Sequence, residues 1–255
     1  MSESAAEARV RFLGLAFDPL TLDQALDWLA SRDAVAPFAY VITPNVDHMV
    51  RLEHAVPPIQ RAYQTADLCV CDSRVLARLA GLAGQPLTVV PGSDLTPAAL
   101  SKVYGAGDRI CLIGGTAEAA RVLEARHPGL VVLQHSPPMG LIHDADARRA
   151  AILFAAETKA RAVLLAVGSP QQELLAWEMR DSGLVRGTAL CIGASVDFLV
   201  GTQVRAPVLV QRAGFEWAWR LARNPQRLWR RYLVDGPAIF PLVWRWRRDR
   251  RGQGK

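Results

Sequence analysis

Short apolar runs in this sequence are repeatedly followed by polar or glycine-rich turns, and these turns hold the residues best suited to chemistry. Asp72 directly follows the apolar run 68–71, which places its carboxylate at the mouth of a sheet rather than in its core. Several such turns on one edge of a sheet, with backbone N–H groups facing outward, are typical of a pocket for a nucleotide or a phosphorylated sugar. The turns contribute Thr43, Asn45, Asp72, Gly92, Ser93, Asp94, Gln172 and Asp197, together with the nucleotide-binding candidates Gly114, Gly115, Gly168, Ser169 and Gly193.

Helix capping is the alternative interpretation of these polar residues. Asn45 and Asp72 could cap the helices that follow them, and residues 169–172 fit a capping box with proline at the first helical position. Asp144 and Asp146 have the spacing that some sugar transferases use to hold a divalent metal. They open a predicted helix, however, where acids are expected beside the positive end of the dipole. We therefore predict no metal site.

Several familiar signatures are missing from the sequence. It has no GxGxxG after a strand, no GxxxxGK[ST] and no HExxH, and its five histidines show no ligand spacing. This lowers the odds of a classical dinucleotide enzyme, a P-loop ATPase or a zinc hydrolase, and we expect no cofactor. The four cysteines lie inside apolar runs without CxxC spacing, which predicts reduced, buried side chains.

The fold class follows from the alternation of apolar runs and amphipathic patterns along the chain. Strands are predicted at FAYVIT, LCVC, LTVV, RICLIG, LVVLQ, AVLLAVG and TALCIGA, and helices at residues 46–65, 73–83, 116–127, 144–158 and 170–182. This βα repeat predicts an α/β protein with a Rossmann-like, mostly parallel sheet flanked by helices, and ligands beyond the carboxyl ends of the strands. We assign residues 1–203 to this core.

Residues 204–255 differ in composition and are predicted to form a basic, aromatic helical appendage. They hold thirteen Lys or Arg residues against three acids, and five of the seven tryptophans. Residues 205–223 predict one amphipathic helix, Asn224 and Pro225 have the form of a cap and first turn that begin a second, and residues 235–237 should end it. Such a tail is expected to meet an anionic partner.

The location of the protein is predicted from both ends of the sequence. The start, MSESAAEARVRF, lacks a basic region followed by an apolar one, so we expect a cytoplasmic protein. The apolar run 236–244 is far below the roughly 18 residues that cross a bilayer. The tail could instead lie on an anionic membrane, where aromatic side chains favour the interface and basic ones the lipid charge. The candidates for this contact are Trp229, Phe240, Trp244, Trp246 and the arginines of 245–251.

Seven segments, in order along residues 10–234, resemble the WecG/TagA/CpsF family of bacterial glycosyltransferases. They are TPNVDHM, ADLCVCDS, VPGSDL, CLIGGT, GSPQQE, IGASVDFLVGTQVRAP and GFEWAWRLARNPQRLWRRY. The resemblance implies an inverting, metal-independent transfer of a sugar from a UDP-sugar to a saccharide carried on a polyprenyl diphosphate. The reaction would take place at the inner face of the plasma membrane, in the synthesis of exopolysaccharide or another cell-surface glycan.

The resemblance also implies roles for single residues. Asp72 matches the family aspartate proposed as the base that deprotonates the acceptor hydroxyl, a task that inverting transfer requires. Thr43, Asn45 and Gln172 match polar residues around the donor sugar, and Arg220, Arg227 and Arg230 match appendage arginines that help neutralise the diphosphate. Guanidinium groups suit phosphate oxygens in this position.

Three departures from the family pattern concern the donor sugar. Ser73 follows Asp72 where the family usually has PDG, Val89 replaces an arginine of most members, and residues 139–141 lack the aromatic of a middle motif. N-acetylmannosamine is therefore not assumed as the donor. We expect the exopolysaccharide branch, similar to the xanthan glucosyltransferase, to be the nearer relative.

Two other classes of protein are weighed against a glycosyltransferase. A soluble enzyme that modifies nucleotide sugars could share the core, but it would need the dinucleotide fingerprint and would bind NAD tightly. A nucleic-acid binder could use the basic tail, since arginine with interleaved tryptophan suits phosphate backbones and base stacking. Neither explains the order of polar residues at the strand ends, and we predict no nucleic-acid partner.

Overall fold

The computed structural model describes residues 8–193, 195, 201 and 206–253. The predicted Asp197 lies outside the described residues, and of Arg227 only the backbone is described.

The described chain begins with a hairpin that the sequence analysis did not predict. Strands β1 (Val10–Phe12) and β2 (Leu15–Phe17) pair antiparallel through Leu13 and Gly14, which both have positive φ. Two central residues with positive φ form the tight turn that matches the twist of paired strands. Phe12, Leu15 and Phe17 are buried, so the hairpin joins the core.

A parallel sheet forms the centre of the fold, as predicted. Its strands are β3 (Ala39–Ile42), β4 (Leu68–Cys69), β5 (Arg109–Gly114), β6 (Val131–His135), β7 (Ala162–Ala166) and β8 (Thr188–Cys191). Among the described residues these six pair in the order β4-β3-β8-β7-β5-β6. Val41 of β3 and Leu164 of β7 both pair with Leu190 of β8, so three neighbouring strands end at one level.

The predicted strand LTVV is the exception. It contributes only one bridge, between Val89 and Cys71, beside the end of β4. Pro86 and Pro91 flank the run, and proline cannot donate to a strand ladder, which keeps the pairing short.

Helices cover both faces of the sheet. They are α1 (Leu22–Ala30), α2 (Val46–Leu52), α3 (Pro57–Gln64), α4 (Arg74–Leu82), α5 (Gly92–Lys102), α6 (Ala117–Arg126), α7 (Ala145–Thr158) and α8 (Gln171–Ser182). Side chains of β3 alternate between two apolar clusters: Val41 packs with residues of α1, α5 and α6, whereas Tyr40 and Ile42 pack with residues of α2, α3, α4, α7 and α8. The Rossmann-like α/β prediction is confirmed.

Two prolines divide one of the predicted helices. The predicted helix 46–65 is two helices, because Pro57 and Pro58 lack the N–H groups that would continue α2, and they occupy the first turn of α3.

The four cysteines are free and buried, and burial raises the pKa of Cys71 to about 12. Cys71 therefore stays a thiol at neutral pH and is not an activated nucleophile.

The C-terminal segment differs from its prediction at two places. The predicted helix 205–223 is interrupted at Gly214, whose φ is +81, between α9 (Val208–Ala213) and α10 (Glu216–Arg223). The predicted end at 235–237 is wrong, because Pro237 lies in the first turn of a new helical segment, where its missing N–H costs nothing. The path runs from α11 (Pro225–Trp229) through a π-helical turn (Arg230–Asp235) and a 3-10 turn (Gly236–Ala238) into α12 (Ile239–Gln253).

The last helix packs on the core. Ile239, Leu242 and Val243 of α12 belong to the same buried cluster as Phe12 and Met49. Trp246, predicted as a membrane contact, instead meets Phe12 edge to face with ring centroids 5.1 Å apart. None of the helices in the described residues is long and apolar enough to cross a bilayer.

Candidate active site

A cavity of about 890 Å³ lies between the carboxyl ends of the strands and the C-terminal segment. Turns after β3, β4, β7 and β8 and the start of α5 line one side of it, and residues from α10 to α12 line the other. The predicted residues that it brings together are Thr43, Asn45, Asp72, Gly92, Ser93, Asp94, Gly168, Ser169, Gln172, Gly193 and Arg220. Turns that are far apart in sequence therefore meet at one edge of the sheet, as parallel strands require.

Asp72 lines this cavity and does not cap α4, the helix that follows it. Ser73 caps α4, since its hydroxyl accepts from the Leu76 N–H at 3.2 Å. The Asp72 Oδ1 instead accepts from the Gly92 N–H at 2.8 Å, across the strand ends. A Cβ at position 92 would lie only 3.0 Å from the hydroxyl oxygen of Thr43. Glycine therefore allows the backbone at position 92 to lie close to Thr43. One carboxylate oxygen of Asp72 is thus fixed by the backbone while the side chain faces the cavity.

The surroundings of Asp72 suit a proton acceptor. Its pKa is raised from the ordinary value to about 7, chiefly by burial and also by the charge of Glu216, against the lowering effects of the Gly92 N–H, Arg220 and Asn45. A carboxyl group with a pKa near 7 is half ionised at neutral pH and is a stronger base than an exposed aspartate.

Asn45 both caps a helix and lines the cavity, the two roles that the sequence left open. Its Oδ1 caps α2, accepting from the N–H groups of Asp47 at 3.1 Å and His48 at 3.3 Å. Its side chain also lines the cavity and interacts with Asp72, whose pKa it lowers. Capping orients the amide, so that the same residue presents a polar group to the site.

The predicted capping box at residues 169–172 is wrong. Helix α8 begins at Gln171 without a side-chain cap, and the Ser169 hydroxyl lies 2.8 Å from the hydroxyl of Tyr63. Gln172 is 2% exposed and turns inward, where its Oε1 accepts from the Gly193 N–H at 2.9 Å. Tertiary partners thus replace the local hydrogen bonds that the sequence suggested.

Two predicted glycines lie outside the lining of the cavity. A Cβ at Gly114 would lie 2.9 Å from the backbone of Ala166. Close packing against Ala166 therefore explains why a glycine occupies this position. Its carbonyl, like that of Thr116, accepts from the side-chain amide of Gln134. Gly115 follows in the same turn, and nucleotide binding by Gly114 and Gly115 stays a prediction.

The arginines that line the cavity are not all the ones that the sequence predicted. Arg220 lines the cavity, whereas the exposed Arg230 is not among its lining residues. Arg231, which the sequence analysis did not select, lines it and places its Nη2 3.1 Å from the Oδ2 of Asp47. For Arg227 the predicted role stays untested.

Asp47 connects Arg231 to the core. It is 9% exposed, and the same Oδ2 also pairs with Arg51, one turn along α2. Arg51 donates in turn to the carbonyl oxygen of Ser169 at 3.1 Å. The neighbouring His48 has a pKa lowered to about 3 by burial and by the charge of Arg231. It is therefore neutral at physiological pH, and the positive charge in this part of the cavity comes from arginine.

The two acids of the DxD pair lie at the start of α7. Asp144 caps α7, accepting from the Ala147 N–H at 2.8 Å, and Asp146 lies in the first turn of that helix. Within the part of the chain that the structure describes, no three His, Cys, Asp or Glu residues are grouped to hold a metal ion.

The fold and the cavity define a Rossmann-like α/β protein with a cavity in the size range of small-molecule sites, at the carboxyl ends of its strands. The chain belongs to the WecG/TagA/CpsF family of glycosyl transferases, whose family model matches residues 10–253. It is therefore a glycosyltransferase, and membership implies a nucleotide-sugar donor and a lipid-linked acceptor. The assignment to the xanthan-type branch stays a prediction.

Proposed function

We propose that the protein transfers a sugar, with inversion and without a metal ion, from a UDP-sugar to a saccharide on a polyprenyl diphosphate. The product would belong to exopolysaccharide or another cell-surface glycan. The observation that carries the proposal is Asp72, a partly buried carboxyl with a pKa near 7, in a cavity that also contains Arg220 and Arg231.

The residues can divide the reaction between them. The acceptor hydroxyl attacks the anomeric carbon of the donor, Asp72 takes its proton, and the bond to the UDP oxygen breaks on the opposite face. Charge then accumulates on the leaving diphosphate, where arginine side chains act as preorganised donors and stabilise the transition state. This supports a reaction in which guanidinium groups take the place of a metal ion.

Transfer is tested with membranes that contain polyprenyl-diphosphate-linked sugars, a panel of UDP-sugars and EDTA. We expect the lipid fraction to gain the mass of one hexose with a single donor, and NMR of the product to show an inverted anomeric centre. EDTA should leave the rate unchanged. Loss of transfer in EDTA, with recovery on adding Mg²⁺ or Mn²⁺, would contradict metal independence, and a retained anomeric configuration would contradict inversion.

The C-terminal segment is proposed to hold the enzyme on the cytoplasmic membrane face. Trp229, Phe240 and Trp244 are 51%, 58% and 63% exposed. Phe240 and Trp244 lie on α12 beside the basic run 245–250, which bears four arginines against one aspartate. Aromatic side chains favour the membrane interface, and each basic residue near anionic lipid adds about 1 kcal/mol.

The membrane contact is tested by changing Phe240 and Trp244 together to serine. Because both side chains are exposed, the fold should be kept while affinity for anionic liposomes falls at least about tenfold, the effect of losing two inserted aromatics. Val35→Ser with Leu82→Ser is the matched control, since these apolar side chains are also exposed but lie outside the segment. Equal liposome binding by both double variants at low salt would refute the proposed contact.

A further inference from the structure

A carboxyl group lies buried directly beneath the cavity. Glu173 is 1% exposed, although its neighbours Gln172 and Ser169 line the site. The Gln172 Nε2 donates to the Glu173 Oε1 at 2.8 Å, while Oε2 makes no hydrogen bond in the described residues. The hydroxyls of Tyr63 and Ser169, 2.8 Å from each other, also interact with this carboxyl group.

These contacts fix the orientation of the Gln172 amide. The Gly193 N–H can only donate, so the Gln172 atom 2.9 Å away must be the carbonyl oxygen. The NH₂ group then points at Glu173, which must offer an acceptor there. Glu173, Gln172 and Gly193 therefore form a chain of hydrogen bonds that runs from below the cavity into its wall.

The charge state of Glu173 follows from its neighbours. Arg51 of α2, Tyr63 of α3 and Cys191 of β8 are the titratable groups that interact with it, yet none of the ion pairs between described residues includes Glu173. An ionised carboxylate buried without an ion pair is costly, so the neutral acid is favoured. In agreement, burial raises the pKa of Glu173, against the lowering effects of its hydrogen bonds.

We propose that Glu173 is a positioning residue: as a neutral acid it holds the Gln172 amide, and through it the Gly193 N–H, in place at the floor of the cavity. It accepts from Gln172 through Oε1, and the neutral acid carries its proton on Oε2, which makes no hydrogen bond in the described residues. Of the measurements that test this role, only the rate of sugar transfer rests on the proposed function.

Two substitutions separate positioning from charge. Glu173→Gln retains an acceptor and a donor, so we expect transfer within about threefold of wild type, as for a conservative change. Glu173→Leu removes the acceptor for Gln172, and kcat should fall at least about tenfold, the effect of one buried hydrogen bond. Hydrogen–deuterium exchange of the Gly193 amide should quicken in the leucine variant and stay as in wild type in the glutamine variant.

A thermal measurement tests the neutral acid without substrate. A raised pKa means that the folded state holds the Glu173 proton where the unfolded state has lost it, so this contribution to stability falls as pH rises. Glutamine does not titrate, so the melting temperature of Glu173→Gln relative to wild type should increase from about pH 5 to about pH 8. Asp72 titrates equally in both proteins and cancels from the difference.

The outcomes are distinct. A wild-type enzyme that transfers no sugar would refute the proposed function and leave the exchange and melting measurements to decide on Glu173. Equal loss of transfer in the glutamine and leucine variants would refute the neutral role, as would a relative melting temperature of Glu173→Gln that falls with pH. Unchanged Gly193 exchange in a folded leucine variant would refute positioning. If the leucine variant does not fold, the glutamine series still tests the charge state.

Discussion

Asp72→Asn is expected to lower kcat for sugar transfer by about 10²–10⁴-fold, the range that a positioned general base contributes. Asparagine has the same shape and can still accept from the Gly92 N–H, so the cavity should keep its form. It cannot take the proton of the acceptor hydroxyl. The measurement is the initial rate with saturating donor and acceptor, with melting temperature and UDP binding as controls for folding.

The pH profile of the wild type shows whether transfer requires Asp72 in its ionised form. Because burial raises the pKa of Asp72 to about 7, kcat/KM should rise about tenfold per pH unit below that value and level off above it. The residual activity of Asp72→Asn should lack this step. An asparagine variant that is folded, binds UDP and keeps more than about a tenth of the wild-type rate would show that Asp72 is not the base.

The strand ends were predictable because their chemistry is local. Each apolar run predicts a strand, and the polar residue after it must lie at the carboxyl edge once the strands are parallel. Thr43, Asn45 and Asp72 therefore reach the cavity as expected. The same reasoning selected Gly114, although a close approach to Ala166 explains that glycine and only the folded chain reveals it.

Other residues were not predictable because partners distant in sequence decide their orientation. Gln172 matches a capping box, yet a hydrogen bond to Gly193 and one to Glu173 turn it inward. His48 and Asp47 follow a capping residue in a surface-helix pattern, and only the return of the C-terminal segment places them against Arg231. Pro237 looked like a helix end, since the sequence does not show whether a proline stops one helix or opens the next.

Arg231→Gln is expected to reduce kcat/KM by about 10–100-fold, the effect of losing a hydrogen bond from a charged group to phosphate. Arg231 lines the cavity beside Asp47, and the proposed diphosphate would bind in this cavity. Arg230→Gln is the matched control in the same turn, because its side chain is exposed and outside the cavity lining. Its rate should stay within about twofold of wild type, as for a surface change.

The two arginine variants are compared with a detergent-solubilised acceptor, so that weaker membrane binding does not alter the rate. Asp47→Asn removes the ion-pair partner of Arg231 but keeps the guanidinium, and it separates phosphate binding from a structural effect of the pair. If Arg231 binds phosphate, Asp47→Asn should retain more activity than Arg231→Gln, since the positive charge remains. A larger loss in Arg230→Gln than in Arg231→Gln would restore the role that the sequence alone assigned to Arg230, and would mean that the π-helical turn presents its other face to the substrate.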